Sequence, residues 1–263
     1  MRDISGLPDL ELALIQTTLA WQDPAANRAH FACLLEQARG ADLIVLPEMF
    51  STGFSMDCVA LAEPEDGPTS QWLCQQAQTL QAVVTGSLII QAADGSYRNR
   101  LIWARPDGSV AQYDKRHLFR MAGEHKHYSA GTEQVLLEVN GWQVRPLICY
   151  DLRFPVWSRD PQTTDLLLYT ANWPATRRNH WNRLLPARAI ENLCYVVAVN
   201  RIGEDGKGHA YSGDSQVLDF QGDSLLAAQA ENGVFRVRLQ AAELSAYRQR
   251  FAAYLDADDF TLS

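Results

Sequence analysis

Four polar side chains follow or interrupt apolar stretches, where a folded chain can hold active groups at the edge of its core. Glu48 lies in Leu46-Pro47-Glu48-Met49-Phe50, directly after an apolar run. A carboxylate there sits at a strand end, where α/β proteins build ligand sites. Pro47, Met49 and Phe50 should shield it from water, which raises a carboxyl pKa toward the range useful for general acid–base work. Cys149 ends the stretch Arg145-Pro146-Leu147-Ile148-Cys149, and Tyr150-Asp151-Leu152-Arg153-Phe154-Pro155 follows abruptly. A nucleophile at a sharp strand-to-helix turn is presented to solvent, with the next backbone N–H, here that of Tyr150, aimed at the same space. Lys115 lies in Tyr113-Asp114-Lys115-Arg116-His117-Leu118-Phe119 and Glu124 in Ala122-Gly123-Glu124-His125-Lys126-His127. Each also has a plain structural reading. Glu48 could cap a helix, Lys115 could be a solvated surface lysine, and Cys149 a small buried hydrophobe. Glu124 taken alone is unremarkable, and Cys194, inside Leu193-Cys194-Tyr195-Val196-Val197, reads as core.

The elements that must position these groups show in the hydrophobic periods. Leu10–Gln16 alternates with period two, as a strand does. Pro24 opens an Ala-rich stretch to Arg39 with Phe31, Leu34, Leu35 and Ala38 at helical spacing, Asp23 as its N-cap and Gly40 at its end. Leu43–Leu46 is apolar throughout, like a buried strand. Further strands are expected at 83–90, 98–104, 109–113, 135–139, 142–148, 165–171, 194–200, 214–220 and 234–239. Asn140-Gly141 marks a hairpin between two of them. Helices are expected at 69–80, 178–192 and 241–255, with Pro186 kinking or breaking the second. Residues 63–68 read as a surface loop and the acidic C-terminus as frayed. Many strands and about four helices in one unbroken chain predict a single layered α/β domain over residues 1–263, helices covering a central sheet system.

Composition excludes several classes. Among 263 residues, 47% are hydrophobic and 21% charged, close to an ordinary globular protein and far from a disordered one. No apolar run approaches the ~18 residues of a membrane span. The opening residues lack the apolar core of a secretory leader. Lys and Arg total 23 against 31 Asp and Glu, a net charge of -8, which argues against nucleic acid as a partner. An anionic substrate must therefore be captured by local bases. Five cysteines, at 33, 58, 74, 149 and 194, form no CxxC pair and fit a reduced, cytoplasmic setting.

The order and company of the four groups carry more than any one of them. Glu48 after Leu-Pro, Lys115 before Arg-His-Leu-Phe and Cys149 in Cys-Tyr-Asp-Leu-Arg-Phe-Pro resemble the carbon–nitrogen hydrolase, or nitrilase, superfamily over Leu12 to about Leu239. The resemblance implies a four-layer α-β-β-α sandwich whose protomers commonly pair as dimers. It implies a catalytic triad of Glu48, Lys115 and Cys149, with Glu124 as a second glutamate ahead of the 127–131 loop. No metal or organic cofactor is implied.

On that reading Cys149 attacks an amide carbon and Glu48 moves the proton. Lys115 and the Tyr150 N–H receive the oxyanion, and Glu124 orients Lys115. Tyr150-Asp151, in place of the Trp-Glu usual in nitrilases proper, resembles the branch of omega-amidases and deaminated-glutathione amidases. Asn172-Trp173-Pro174, with the Arg-rich stretch after it, resembles the bacterial omega-amidases, whose substrate is 2-oxoglutaramate. Its carboxylate needs a donor fork, for which Arg153 is a candidate, although Arg153 could instead pair with Asp151 or Asp160. Phe50, Tyr150 and Trp173 could wall the pocket. The alternatives are an amidase for a larger amide such as deaminated glutathione, a zinc-type site from His117, Glu124, His125 and His127, and a non-catalytic scaffold.

Overall fold

The computed structural model describes residues 1–160 and 162–258. The last five residues of the acidic C-terminus, expected to fray, lie outside that range. Two sheets face each other. In the first, the strands run in the order Gly233–Leu239, Leu10–Gln16, Leu43–Val45, Val83–Gln91, Tyr97–Ala104, Val110–Asp114, with Glu63–Pro64 beside the end of Val83–Gln91. In the second the order is Ser224–Ala227, Gln216–Leu218, Tyr195–Val199, Leu166–Thr170, Trp142–Ile148, Leu137–Val139. Each sheet has three parallel strands at its centre and antiparallel strands at its flanks. A separate two-stranded ribbon joins Ile202–Glu204 to Ala210–Ser212.

The period-two pattern divides the first sheet between two cores. Leu12, Leu14, Val45, Leu101 and Trp103 pack in one cluster with the second sheet. Their neighbours Ala13, Ile15, Ile44 and Ile102 pack in another with Phe31, Leu35, Leu73 and Ala77 from the helices Pro24–Leu35 and Pro68–Leu80. The first cluster also takes in Trp181, Leu185 and Ala189 of Arg178–Asn192 and Leu244 of Ala241–Arg250. The layering is thus helix, sheet, sheet, helix, the four-layer α/β sandwich that the motifs imply.

Local signals hold at most element ends. The Asp23 side chain accepts the Ala26 N–H at 2.9 Å and caps the first helix. Asn140 and Gly141 have φ of 49° and 86°, as a two-residue hairpin turn requires. Three expectations need correction. The helix Arg178–Asn192 runs through Pro186 without the break that is the alternative to a kink. The carbonyl this proline leaves unpaired belongs to Asn182, which is exposed, so water can satisfy it. The last helix stops at Arg250, because residues 251–258 are half-buried or exposed and offer no continuous face to the core. Residues 63–68 are not wholly loop, since Glu63 and Pro64 pair with Ile90 and Gln91.

Candidate active site

The polar groups converge where strands of both sheets end. Glu48 lies three residues past Leu43–Val45 and Lys115 directly after Val110–Asp114, both on the first sheet. Cys149 directly follows Trp142–Ile148 and Asn172 lies two residues past Leu166–Thr170, both on the second. Glu124 opens the short 3-10 turn Glu124–Lys126. The loop beyond it closes on Lys115, whose carbonyl accepts the Gly131 N–H at 2.9 Å. Only glycine allows this approach: a Cβ there would lie 2.2 Å from the Asp114 carbonyl oxygen.

Glu48 and Glu124 are fully buried and share one ammonium. Lys115 Nζ donates to Glu48 Oε1 at 2.8 Å and to both oxygens of Glu124 at 3.0 Å. Asn99 backs both acids, its Nδ2 lying 2.8 Å from Glu48 Oε1 and 3.3 Å from Glu124 Oε1. Glu48 Oε2 accepts the Asn172 backbone N–H at 2.8 Å, and Glu124 Oε2 accepts that of Phe119 at 2.5 Å. Burial opposes the Lys115 charge, but Glu124 and Glu48 outweigh it and raise its pKa, so the lysine stays an ammonium. Burial raises the Glu124 carboxyl, against the pull of Lys115, and the Glu48 charge adds to the rise.

Cys149 has a φ of 44°, left-handed for a residue with a side chain, at the strand-to-turn junction. Such a conformation costs about 1–2 kcal/mol and persists only where its surroundings enforce it. Met49, next to Glu48, shares it with a φ of 42°. Burial pushes the Cys149 thiol well above its ordinary pKa, and the Glu48 charge raises it further against the opposing Lys115. The sulfur therefore rests as a neutral thiol and needs a base to become a nucleophile. Tyr150 is the second residue of the turn Cys149–Arg153, at the end of a helical turn whose first N–H groups have no carbonyl partner within it. Contrary to the expectation of an accessible thiol, Cys149 is only 8% exposed. It meets solvent through a cavity of about 360 Å³.

That cavity is lined by Cys149, Tyr150, Lys115 and Asn172, by Phe54, Phe119, Trp173 and Met121, and by Arg153, Arg177, His209 and Tyr211 among others, with no Asp or Glu among the described residues. Arg153 pairs with neither expected acid. Its guanidinium lies 5.0 Å from the Trp173 ring centre, and one nitrogen is 2.9 Å from His180 Nδ1. Asp151 is bonded to His117 instead, and Asp160 to Arg145. Arg177 sits 4.9 Å over Phe119 with no carboxylate within salt-bridge distance among the described residues. Burial lowers its pKa.

Phe50 does not line the cavity. After the left-handed Met49 it turns into the outer core, with its ring edge-on to Phe31 at 5.2 Å and against Trp72. Gly86 makes room for it, since a Cβ there would lie 2.9 Å from its Cδ1. The aromatic wall at that place is Phe54. Trp173 does line the cavity, although it is only 3% exposed. The grouping of His117, Glu124, His125 and His127 does not converge on a common point: Glu124 is engaged by Lys115 and His117 by Asp151. Among the described residues no three His, Cys, Asp or Glu side chains are placed to hold a metal.

Reading the sequence overlooked Asn99, Arg177, His209 and Tyr211. Only Arg177 left a signal, as part of the Arg-rich stretch after Asn172-Trp173-Pro174.

Comparison with known proteins places this geometry among relatives. Residues 11–249 match the model of the carbon–nitrogen hydrolase family. The chain is 49% identical over 256 residues to omega-amidase YafV of Yersinia enterocolitica, covering 96% of this chain and 98% of that one. It is 32% identical over 250 residues to 2-oxoglutaramate amidase of Bacillus subtilis, covering 93% and 96%. Among solved structures, XC1258 of Xanthomonas campestris, described as a CN-hydrolase superfamily protein with an arsenic adduct in its active site, superposes with a TM-score of 0.95 at 45% identity, covering 98% of this chain and all of that one.

Proposed function

The chain belongs to the carbon–nitrogen hydrolase family, and on that premise we propose that it is an omega-amidase. It hydrolyses the terminal amide of a small 2-oxo acid, 2-oxoglutaramate and also 2-oxosuccinamate, to the dicarboxylate and ammonia. The observation that carries this reading is a buried Glu48–Lys115–Glu124 cluster beside the Cys149 thiol. That thiol lines a cavity with two guanidiniums and, among the described residues, no acid. A volume of about 360 Å³ is at the lower end for ligand sites and suits a five-carbon substrate better than a peptide-like one. The amidase names of the relatives point the same way.

The roles follow from the chemistry each group can perform. Glu48 takes the Cys149 proton as the sulfur attacks the amide carbon. Lys115 and the Tyr150 N–H donate to the oxyanion that forms. Glu48 then passes the proton to the departing nitrogen, the C–N bond breaks, and ammonia leaves a thioester on Cys149. In the second half Glu48 deprotonates a water, whose oxygen attacks the thioester carbon. The C–S bond breaks and the proton returns to sulfur. Glu124 keeps Lys115 charged and in place. Arg153 and Arg177 hold the substrate carboxylate, and Trp173 walls the cavity.

The chain works as a single hydrolase domain, as a homodimer in the cytoplasm, with no nucleic-acid or membrane partner. All five cysteines are free, as a reducing compartment would leave them, and no helix among the described residues is long and apolar enough to cross a membrane.

The test is ammonia release from 2-oxoglutaramate by wild type and by Cys149→Ala, with glutamine as the control amide. Rapid turnover that is lost in the variant and poor on glutamine supports the reading. Wild type inactive on the keto-amide, or a Cys149→Ala protein that still releases ammonia, overturns it.

A further inference from the structure

Asp151, two residues beyond Cys149, reaches across to the segment that carries Lys115. Its Oδ1 lies 2.9 Å from the His117 backbone nitrogen and 2.8 Å from His117 Nδ1. Its Oδ2 accepts the Tyr113 hydroxyl at 2.7 Å and the Ile148 N–H at 2.9 Å. Tyr113 and His117 stand two residues before and two residues after Lys115. One carboxylate thus grips the residue before the nucleophile and both sides of the lysine. It is fully buried, does not line the cavity, and has both oxygens bonded to Tyr113, His117 and Ile148, so its bonds run to the scaffold.

The struts are themselves held by residues that follow the Cys149 turn. The His117 ring stacks on Phe154 with centres 3.7 Å apart and planes 9° from parallel. Trp157 meets His117 edge-on and donates its indole N–H to the Tyr113 oxygen at 2.9 Å. A carboxylate accepts at both oxygens, whereas a side-chain amide in its place would turn its own N–H groups toward some of these donors.

We propose that Asp151 is a positioning residue that sets the Cys149 turn against Lys115, and so fixes where the oxyanion meets its donors. The proposal rests on the roles given above to Cys149 and Lys115. Displacement of a reacting group by about 1 Å can cost about 100-fold in rate without loss of binding.

The experiment measures kcat and KM on 2-oxoglutaramate for wild type, Cys149→Ala, Asp151→Asn, Tyr113→Phe, His117→Ala and the double variant Asp151→Asn with Tyr113→Phe, with folding checked by circular dichroism and melting. Asp151→Asn should lose about 100-fold in kcat at unchanged KM. Tyr113→Phe should lose about 10-fold alone and little more when added to Asp151→Asn. A folded Asp151→Asn with wild-type kcat, or with a change confined to KM, overturns the proposal. Should Asp151→Asn not fold, the two strut variants decide: reduced kcat at unchanged KM supports the positioning role, and wild-type kcat in both overturns it. An inactive wild type, or an active Cys149→Ala, overturns the functional reading and the positioning role with it.

Discussion

Asn172 is joined to Glu48 twice. Its backbone N–H donates to Glu48 Oε2 at 2.8 Å, and its side-chain amide donates to the Glu48 backbone carbonyl. Asn172 follows a strand of the second sheet and Glu48 a strand of the first, so the pair bridges the layers and aims the carboxylate from the far side. Replacing the side chain removes one bond and keeps the other. Asn172→Ala should lower kcat by about 10-fold, the cost of loosening one bond in a charged network. Asn172→Asp, which sets a carboxylate against that carbonyl, should lower it further. Steady-state kinetics of both proteins, shown to be folded, check the order.

Arg177 stacks on Phe119 and Arg153 on Trp173, both at the cavity and both without a carboxylate partner among the described residues. Arg177→Leu should raise KM for 2-oxoglutaramate about 10-fold or more, as expected for loss of a charge-assisted bond. The kcat/KM for a short uncharged amide such as butyramide should change little. Equal loss on both substrates would mean that Arg177 shapes the cavity and does not read the anion.

Cys194 is fully buried in the core cluster that takes in the second sheet, and burial pushes its thiol up to about 12. Cys194→Ser sets a hydroxyl in that apolar place, at a cost of about 1–3 kcal/mol. Thermal melting should fall while kcat at a permissive temperature stays at the wild-type value. A variant with unchanged melting and reduced kcat would place Cys194 at the site and not in the core.

The thiol of Cys149 also gives a pH dependence with a definite sign. Its pKa is raised in the folded protein, so the unfolded chain gives up this proton first as pH rises. The stability linked to it is complete below the ordinary thiol pKa of about 8.5 and is lost progressively above that, toward the folded value. Between about pH 7 and about pH 10, wild type should lose about 2 kcal/mol more stability than Cys149→Ala. Urea titrations of the two proteins at each pH measure the difference directly. Parallel curves would show a thiol that ionises as readily folded as unfolded.

How much of this was legible in the sequence depends on where each residue lies in its element. Leu10–Gln16 and Pro68–Leu80 carry clean periods because each packs one or two faces into a core. Glu48 and Cys149 stand out because each interrupts an apolar run at the end of a buried strand. Asn99 does not, since it sits within Tyr97-Arg98-Asn99-Arg100, whose polar flanks read as a solvent face. Only its neighbours in space bury it to 1% exposure. The ribbon of Ile202–Glu204 and Ala210–Ser212 is largely exposed and glycine-bearing, so it shows no alternation, yet it brings His209 and Tyr211 to the cavity. Phe50 reads as a cavity wall because it neighbours Glu48 in sequence. The left-handed turn at Met49, which periodicity does not register, sends it to the opposite core.

The sandwich has one more consequence, for how such a protein can change over generations. Glu48, Lys115 and Asn99 hang from one sheet and Cys149 and Asn172 from the other. The side chains between them, Leu12, Leu14, Val45 and Trp103 among them, set the spacing. The thickness of that packed layer therefore sets how far Glu48 and Lys115 stand from Cys149. Helix surfaces and outer loops can drift one residue at a time. Residues of the inner layer change most readily in compensating sets, because a methyl group gained or lost there moves Glu48 and Cys149 relative to each other.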